Sequence, residues 1–362
     1  MKVKAKAMII IALLLMMAVH VYGQEKKTVT YIDHYWDENT KTLVPQIKER
    51  EAEVRRANST VHLTNVPILG VEGEERWYYL DDISNKSLYF HAELGINGKV
   101  HVIVRDGLTW RVENGINLPK GSELHIYAQS EGGKQGIVKI TGLGARQGIG
   151  NFYFGRDNGD LYIHGCDIDI TGGEYGAAGI GSGIDWTFDP LKYYHLGKVY
   201  VYGGTMKVRG GKGGGAGIGG GSKRHASSYG GQYYQYGGDV TVWGAELAAG
   251  IGGGGGYHPY LPNTMAVGGA GMEVYIYGGK LTAYGGRRAA GIGSGSGNAA
   301  GGLAGGKLYM YGGTVYAKGG DYGAGFGGGC NCWGGDSFLY GGSLTAIGGK
   351  DATGIGGGEE GF

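Results

Sequence analysis

The sequence predicts an all-β chain: a parallel, right-handed β-helix or a closely related glycine-rich β-solenoid, with about six clear C-terminal repeats. Irregular coils and a short N-terminal region precede them. Three observations carry this reading. The first is a repeated unit of roughly 22 residues, seen most clearly at 274–295 and again from Leu161, Val199, Tyr233, Leu308 and Ser337. Each unit ends in Gly-Ile-Gly or Gly-Phe-Gly, centred on Ile180, Ile218, Ile251, Ile292, Phe326 and Ile355. The second is period-two alternation of aliphatic and aromatic or polar residues, which is the period of a strand. The third is a pair of consecutive glycines that interrupts the alternation in most units.

Within a unit the first segment points its aliphatic residues inward: Leu161 and Ile163, Val199 and Val201, Val274 and Ile276, Leu308 and Met310, with Leu339 in the last repeat. The second segment does the same with Ile168 and Ile170, Met206 and Val208, Val240 and Val242, Leu281 and Ala283, Val315 and Ala317, Leu344 and Ala346. The glycine pair between them shifts the inward parity, which calls for a corner. One such unit cannot bury its apolar face alone. Stacked coils, spaced about 4.8 Å apart, bury it against each other. Glycine numbers 82 of 362 residues, but no Gly-X-Y triplet persists and prolines number 6, so the chain is not collagen. A disordered glycine-rich chain would not keep its alternation in register.

Residues 1–23 read as a secretory signal peptide. Lys2, Lys4 and Lys6 precede an apolar run over 7–19, and Gly23 offers a small residue for cleavage before Gln24. No cysteine stands at that point for a lipoprotein anchor, and no second hydrophobic span follows. The mature chain is therefore expected outside the cytoplasm, at the cell surface, in the extracellular space or in the periplasm, with no membrane span after cleavage. Residues 24–72 form a charged region nearly free of glycine, expected to cap the solenoid, with a short exposed helix over 46–57. The solenoid proper covers 73–362, and its regular repeats cover 161–362. Short alternating strands before them include residues 100–104, 110–112 and 124–127.

The runs 98–107, 115–118 and 122–129, followed by the Gly-Gly and Ala-Gly-Ile-Gly repeats, resemble a family of exported β-helix proteins of host-associated anaerobic bacteria. Members are often labelled only as hypothetical or carbohydrate-binding-domain proteins. The resemblance spans nearly the whole chain from about Val29. It implies a secreted or surface β-helix and no particular reaction or catalytic residue. The chain stops at 359–362 just after a motif and without an obvious capping segment, as expected of a truncated or unusually short member.

Function is expected where the insertions are. Each follows a Gly-Ile-Gly corner, so all should emerge on one edge of the solenoid. They carry Trp186, Phe188, Tyr193, Tyr194 and His195, then Tyr229, then Tyr257, His258 and Tyr260, and finally Trp333. Aromatic rings beside polar groups suit sugars, whose CH faces stack on rings while their hydroxyls take hydrogen bonds. The plainer alternative is that the loops bury their own aromatics. The expected partner is a polysaccharide, a host glycan or a surface protein, and the expected role is non-enzymatic adhesion. A net charge of +1 gives no basic face for nucleic acid.

A second candidate is the outward pair of columns Tyr162, Tyr200, Tyr234, Tyr275, Tyr309, Phe338 and His164, Tyr202, Tyr236, Tyr277, Tyr311, Tyr340. They read first as ladders that stabilise the sheet and second as a flat platform for a polysaccharide. An enzyme is the less favoured class. The column of Asp169 continues as Lys207, Thr241, Thr282, Tyr316 and Thr345, while Asp167 is followed by Thr205 and then Asp239, so no acid pair converges. Asp157, Asp160, Asp167 and Asp169 match no calcium-loop pattern. Residues 213–221 lack the Lys-Ser/Thr ending of a phosphate-binding loop. Cys166 replaces a corner glycine, whereas Cys330 and Cys332 leave open a strained disulfide or two free thiols. No cofactor and no metal site is expected.

Overall fold

The computed structural model describes residues 25–56, 67–81, 87–152, 156–183, 196–222, 231–256, 268–296, 303–359 and 361. The signal-peptide reading of 1–23 lies outside them. Among the described residues the chain is all strand and turn, and it winds into stacked coils with three strands each. The fold is a parallel β-helix.

One coil illustrates the plan. Lys307–Met310 lies in a first sheet, Thr314–Lys318 in a second and Phe326–Gly327 in a third. Among the described residues the three sheets hold 11, 9 and 10 strands, and apart from an N-terminal hairpin every strand pairing within them is parallel. Register is kept from coil to coil: Tyr200 pairs with Tyr234, Tyr234 with Tyr275, Tyr275 with Tyr309 and Tyr309 with Phe338. The inward columns read from the sequence form one continuous core that includes Leu161, Val201, Val208, Ile276, Leu281 and Phe326. Each such aliphatic side chain removed from water contributes about 1.5–3 kcal/mol. Inward positions are not all aliphatic, however. Tyr233 and Gln235 are fully buried in the core, where the Tyr233 hydroxyl donates to Gln235 Oε1 at 2.9 Å and Gln235 Nε2 donates to the Lys280 carbonyl at 3.0 Å.

Glycine recurs at two places in most coils. The second residue of the glycine pair, such as Gly279 at φ +76°, adopts the left-handed conformation that turns the chain from the first sheet to the second. Cys166 occupies this corner at φ +77°, so a buried thiol takes the strained conformation there. In the third sheet, a Cβ on the closing glycine of Gly-Ile-Gly would run into the backbone of the next coil.

The N-terminal region differs from its expected form. Of the span 46–57, residues 46–56 are described and form no helix: β1 (Lys26–Asp37) and β2 (Thr42–Arg55) make a long antiparallel hairpin. The Lys, Glu and Arg residues of β2 favour helix locally, but pairing along the whole of β1 overrides that weak preference. The end of β2 pairs in parallel with the strand Glu75–Leu80, Val54 opposite Tyr79, and so covers that edge of the first sheet. At the other end Leu339 keeps its inward register opposite Met310, yet 54% of it is exposed because no described strand packs beyond it.

Candidate functional site

Two surfaces are built by this fold: the edge that carries the insertions, and the outer face of the first sheet.

The insertion edge lies between each third-sheet strand and the following first-sheet strand. Gly181, Gly219, Gly252 and Gly293 end third-sheet strands, and Lys198, Gln232, Glu273 and Lys307 begin the next first-sheet strands. The described residues that flank 184–195, 223–230, 257–267 and 297–302 therefore share one edge. Trp186, Phe188, Tyr193, Tyr194, His195, Tyr229, Tyr257, His258 and Tyr260 lie in them, outside the described residues. Trp333 is described: it stands between Phe326–Gly327 and Asp336–Leu339 with 58% of its surface exposed.

The feet of the insertions are tied down. Gly221 N–H donates to Ser182 Oγ at 2.8 Å and Gly329 N–H to Ser294 Oγ at 2.9 Å, while Ser222, Ser294 and Ser296 are fully buried. Small hydroxyl side chains satisfy backbone donors where a larger residue would not fit. Beside the foot at Leu196 lies an open cleft of about 340 Å³, lined by polar side chains that include Lys120, Ser122, Glu123, Asp157 and Asn158. Lys120 Nζ pairs with Asp157 at 2.8 Å, and Lys198 N–H donates to Asp160 Oδ1 at 2.7 Å.

The other acids are engaged as well. Arg209 Nη1 donates to Asp169 at 2.6 Å, and Thr205 Oγ1 and Gln135 Nε2 both donate to Asp167. Asp167, Thr205 and Asp239 follow each other in register, which places the two carboxylates two coils apart. Among the described residues no group of three or more His, Cys, Asp or Glu side chains is arranged to hold a metal ion. Cys166, Cys330 and Cys332 are free and buried.

The outer face of the first sheet carries longer aromatic columns than the sequence suggested. One runs unbroken from Trp77 through His101, His125, Tyr162, Tyr200, Tyr234, Tyr275 and Tyr309 to Phe338, with neighbouring centroids 3.9 to 4.8 Å apart. The other runs from Tyr127 through His164, Tyr202, Tyr236, Tyr277 and Tyr311 to Tyr340, with spacings of 4.2 to 5.0 Å. Planes within both are nearly parallel. Coplanar rings at such spacing would overlap, so the rings stack and their faces are taken by their neighbours. The flat platform considered from the sequence would need free ring faces, and within the ladders these faces lie against neighbouring rings. Burial raises the Tyr162, Tyr200 and Tyr236 hydroxyls well above the ordinary tyrosine range.

Trp77, His101 and His125 were missed in the sequence because three residue types share one column. A charged, apolar, aromatic triplet marks it: Lys99-Val100-His101 and Glu123-Leu124-His125 align with Asp160-Leu161-Tyr162.

The hairpin lies across this face. Tyr31 packs on Tyr127 at 4.9 Å and on Trp77 at 5.2 Å, Asp33 reaches His164 at 3.0 Å, and Trp36 leans on Tyr236 and Tyr277 at 5.4 Å each. From Tyr31 to Trp36 an extended strand covers about 17 Å, the rise of three to four coils at about 4.8 Å each. Between Tyr31 and Trp36, β1 therefore runs along the solenoid axis and crosses the sheet strands. Val29, Tyr31 and Ala52 join Tyr79, Ile103 and Tyr127 in a second, smaller core beneath it. Beyond the hairpin tip Tyr311 and Tyr340 are uncovered, 45% and 67% exposed.

Compared with protein-family models, curated proteins and solved structures, the chain matches none.

Proposed function

We propose that this chain is an exported, non-enzymatic β-solenoid that binds a polysaccharide or host glycan along its insertion edge. The observation that carries the reading is the common origin of the insertions: 184–195, 223–230 and 257–267, which carry Trp, Tyr and His, start and end on one edge of the stacked coils, and serines such as Ser182 and Ser294 tie the backbone at the feet. Their origins repeat along the rod with the coils. A repeating polymer would then meet a repeating row of sites, and many weak ring and hydroxyl contacts add through effective concentration. The engagement of Asp167 and Asp169 with Gln135, Thr205 and Arg209 supports a binding role over acid and base catalysis. A purely structural surface or matrix protein is the second reading, favoured by the long aromatic ladders, whose rings serve one another.

The test is a glycan array and polysaccharide pull-down with the chain from Gln24, beside a Trp186→Ala, Tyr260→Ala, Trp333→Ala variant. Binding by the parent and none by the folded variant supports the edge. Binding by neither, with intact β structure by circular dichroism, leaves the structural reading. Sugar release by the parent that disappears in Asp185→Asn or Asp169→Asn would establish an enzyme instead.

A further inference from the structure

The densest group of buried titratable side chains lies under the hairpin, away from the insertion edge. His125 Nδ1 and His164 Nε2 share a hydrogen bond at 3.3 Å, and both rings are buried. His164 Nδ1 is 3.0 Å from Asp33 Oδ1 on β1, and Asp33 is held in turn by Lys48 of β2 at 2.6 Å. His34, the next residue on β1, is 8% exposed with Nε2 3.2 Å from Glu131. Tyr127 and Tyr202 stack on either side of His164.

On the far side, His125 Nε2 faces Glu123 at 3.2 Å, and its ring stacks on His101 at 4.4 Å. His101 bonds the Tyr127 hydroxyl through Nδ1 at 3.0 Å and faces Glu75 through Nε2 at 3.3 Å. Lys99 and Arg50 add positive charge nearby. A hydrogen bond between two imidazole nitrogens requires one of them to be bare. When both rings carry two protons, N–H points at N–H between buried like charges.

We propose that the β1–β2 hairpin is an acid-released latch, docked over the ladder while the His125–His164 pair is neutral and lifted as the pair takes up protons, so that Tyr127, Tyr202, Tyr236 and Tyr277 are uncovered. Burial, reinforced by His101, His164 and Lys99, pushes His125 down to about 2. His101 falls to about 3, mainly through burial. His164 is lowered by burial against the pull of Asp33. A released histidine titrates near 6.5. The released state therefore binds more protons below that pH, and docking weakens as pH falls from about 6.5 while staying constant above it. Asp33, whose ordinary value is 3.8, remains ionised down to about pH 4, so the window between pH 6.5 and 4.5 isolates the histidines.

The experiment is hydrogen exchange by mass spectrometry on the chain from Gln24, at pH 7.5 and 4.5, with labelling times scaled to equal intrinsic exchange. Peptides from residues 29–54 are expected to lose protection about tenfold or more at pH 4.5, while peptides from 199–356 keep theirs. In His125→Gln/His164→Gln the loss shrinks to less than about threefold. His125→Phe, which keeps a ring between His101 and Tyr162, is a second variant in case the first does not fold, and its loss also shrinks. Equal hairpin protection at both pH values overturns the latch. So does an undiminished loss in a folded variant, or loss of protection along the whole chain.

Discussion

The Gly327 carbonyl occupies the space where a Cβ on Gly293 would stand. The same approach joins Gly219 to Gly252, Gly252 to Gly293 and Gly327 to Gly356, so the third sheet is a column of backbones in contact. Both partners are backbone, and neither can swing aside.

Gly293→Ala is therefore expected to cost about 3 kcal/mol or more, from a left-handed φ penalty of about 1–2 kcal/mol with overpacking added. Gly107→Ala is the control. Its φ of +71° is also positive, though nearer the left-handed well than the +145° of Gly293, and nothing stands within 4 Å of the new methyl, so it should cost only about 1–2 kcal/mol. Urea unfolding of both variants decides the matter, and equal losses would remove close approach as the reason for glycine. A severe break at one coil should also split the transition, because each coil is supported only by its neighbours.

This column explains why so much of the architecture is visible in the sequence. Gly-Ile-Gly needs an inward Ile and a following position where no side chain fits, so motif and geometry are one constraint. Alternating columns are equally legible, because a register error would turn every inward side chain to the outside. The hairpin was not legible for the opposite reason. Along β2, residues such as Gln46, Lys48, Glu49, Arg50 and Glu51 are exposed, so no period of two appears and local helix preference is the only signal left. The candidate site was legible only as an edge: its position follows from where the insertions occur, and the face under the hairpin follows from contacts distant in sequence, such as Asp33 with His164.

Tyr233 and Gln235 offer a test of polar satisfaction in the core. Gln235→Leu leaves the buried Tyr233 hydroxyl and the Lys280 carbonyl without their partner, at an expected cost of about 1–3 kcal/mol. Adding Tyr233→Phe removes the orphaned hydroxyl and should restore part of that loss. Thermal unfolding of the two single variants and the double variant gives the coupling directly, and additive losses would mean the hydrogen bond contributes nothing.

Trp36 anchors the hairpin tip, and its contacts with Tyr236 and Tyr277 are its ring contacts among the described residues. Trp36→Ala is expected to lower the stability of tip docking by about 1–3 kcal/mol, the worth of two ring pairs beyond their buried area. Hydrogen exchange should speed up in residues 31–43, while protection in the strands from 199 onward stays the same. A fall in protection along the entire rod would show that the hairpin holds the solenoid together rather than lying on it.

Asp33 sets a separate, more acidic limit. Burial alone would raise its carboxyl, but hydrogen bonds from His164 and Lys48, with the Lys48 charge, more than offset this and hold it well below the usual carboxylate range. A carboxylate with a depressed value stabilises the docked hairpin above its ordinary 3.8, and that contribution is lost as pH falls below it. Asp33→Asn should accordingly loosen residues 29–54 at pH 7, by about tenfold in exchange rate for one charge-assisted bond of about 1.5 kcal/mol. The variant should then show less further loosening than the parent between pH 4 and 2, because the titrating group is gone. Exchange profiles of parent and variant across that interval distinguish this from general acid unfolding: if both loosen in parallel below pH 4, Asp33 is not the group that the acid addresses.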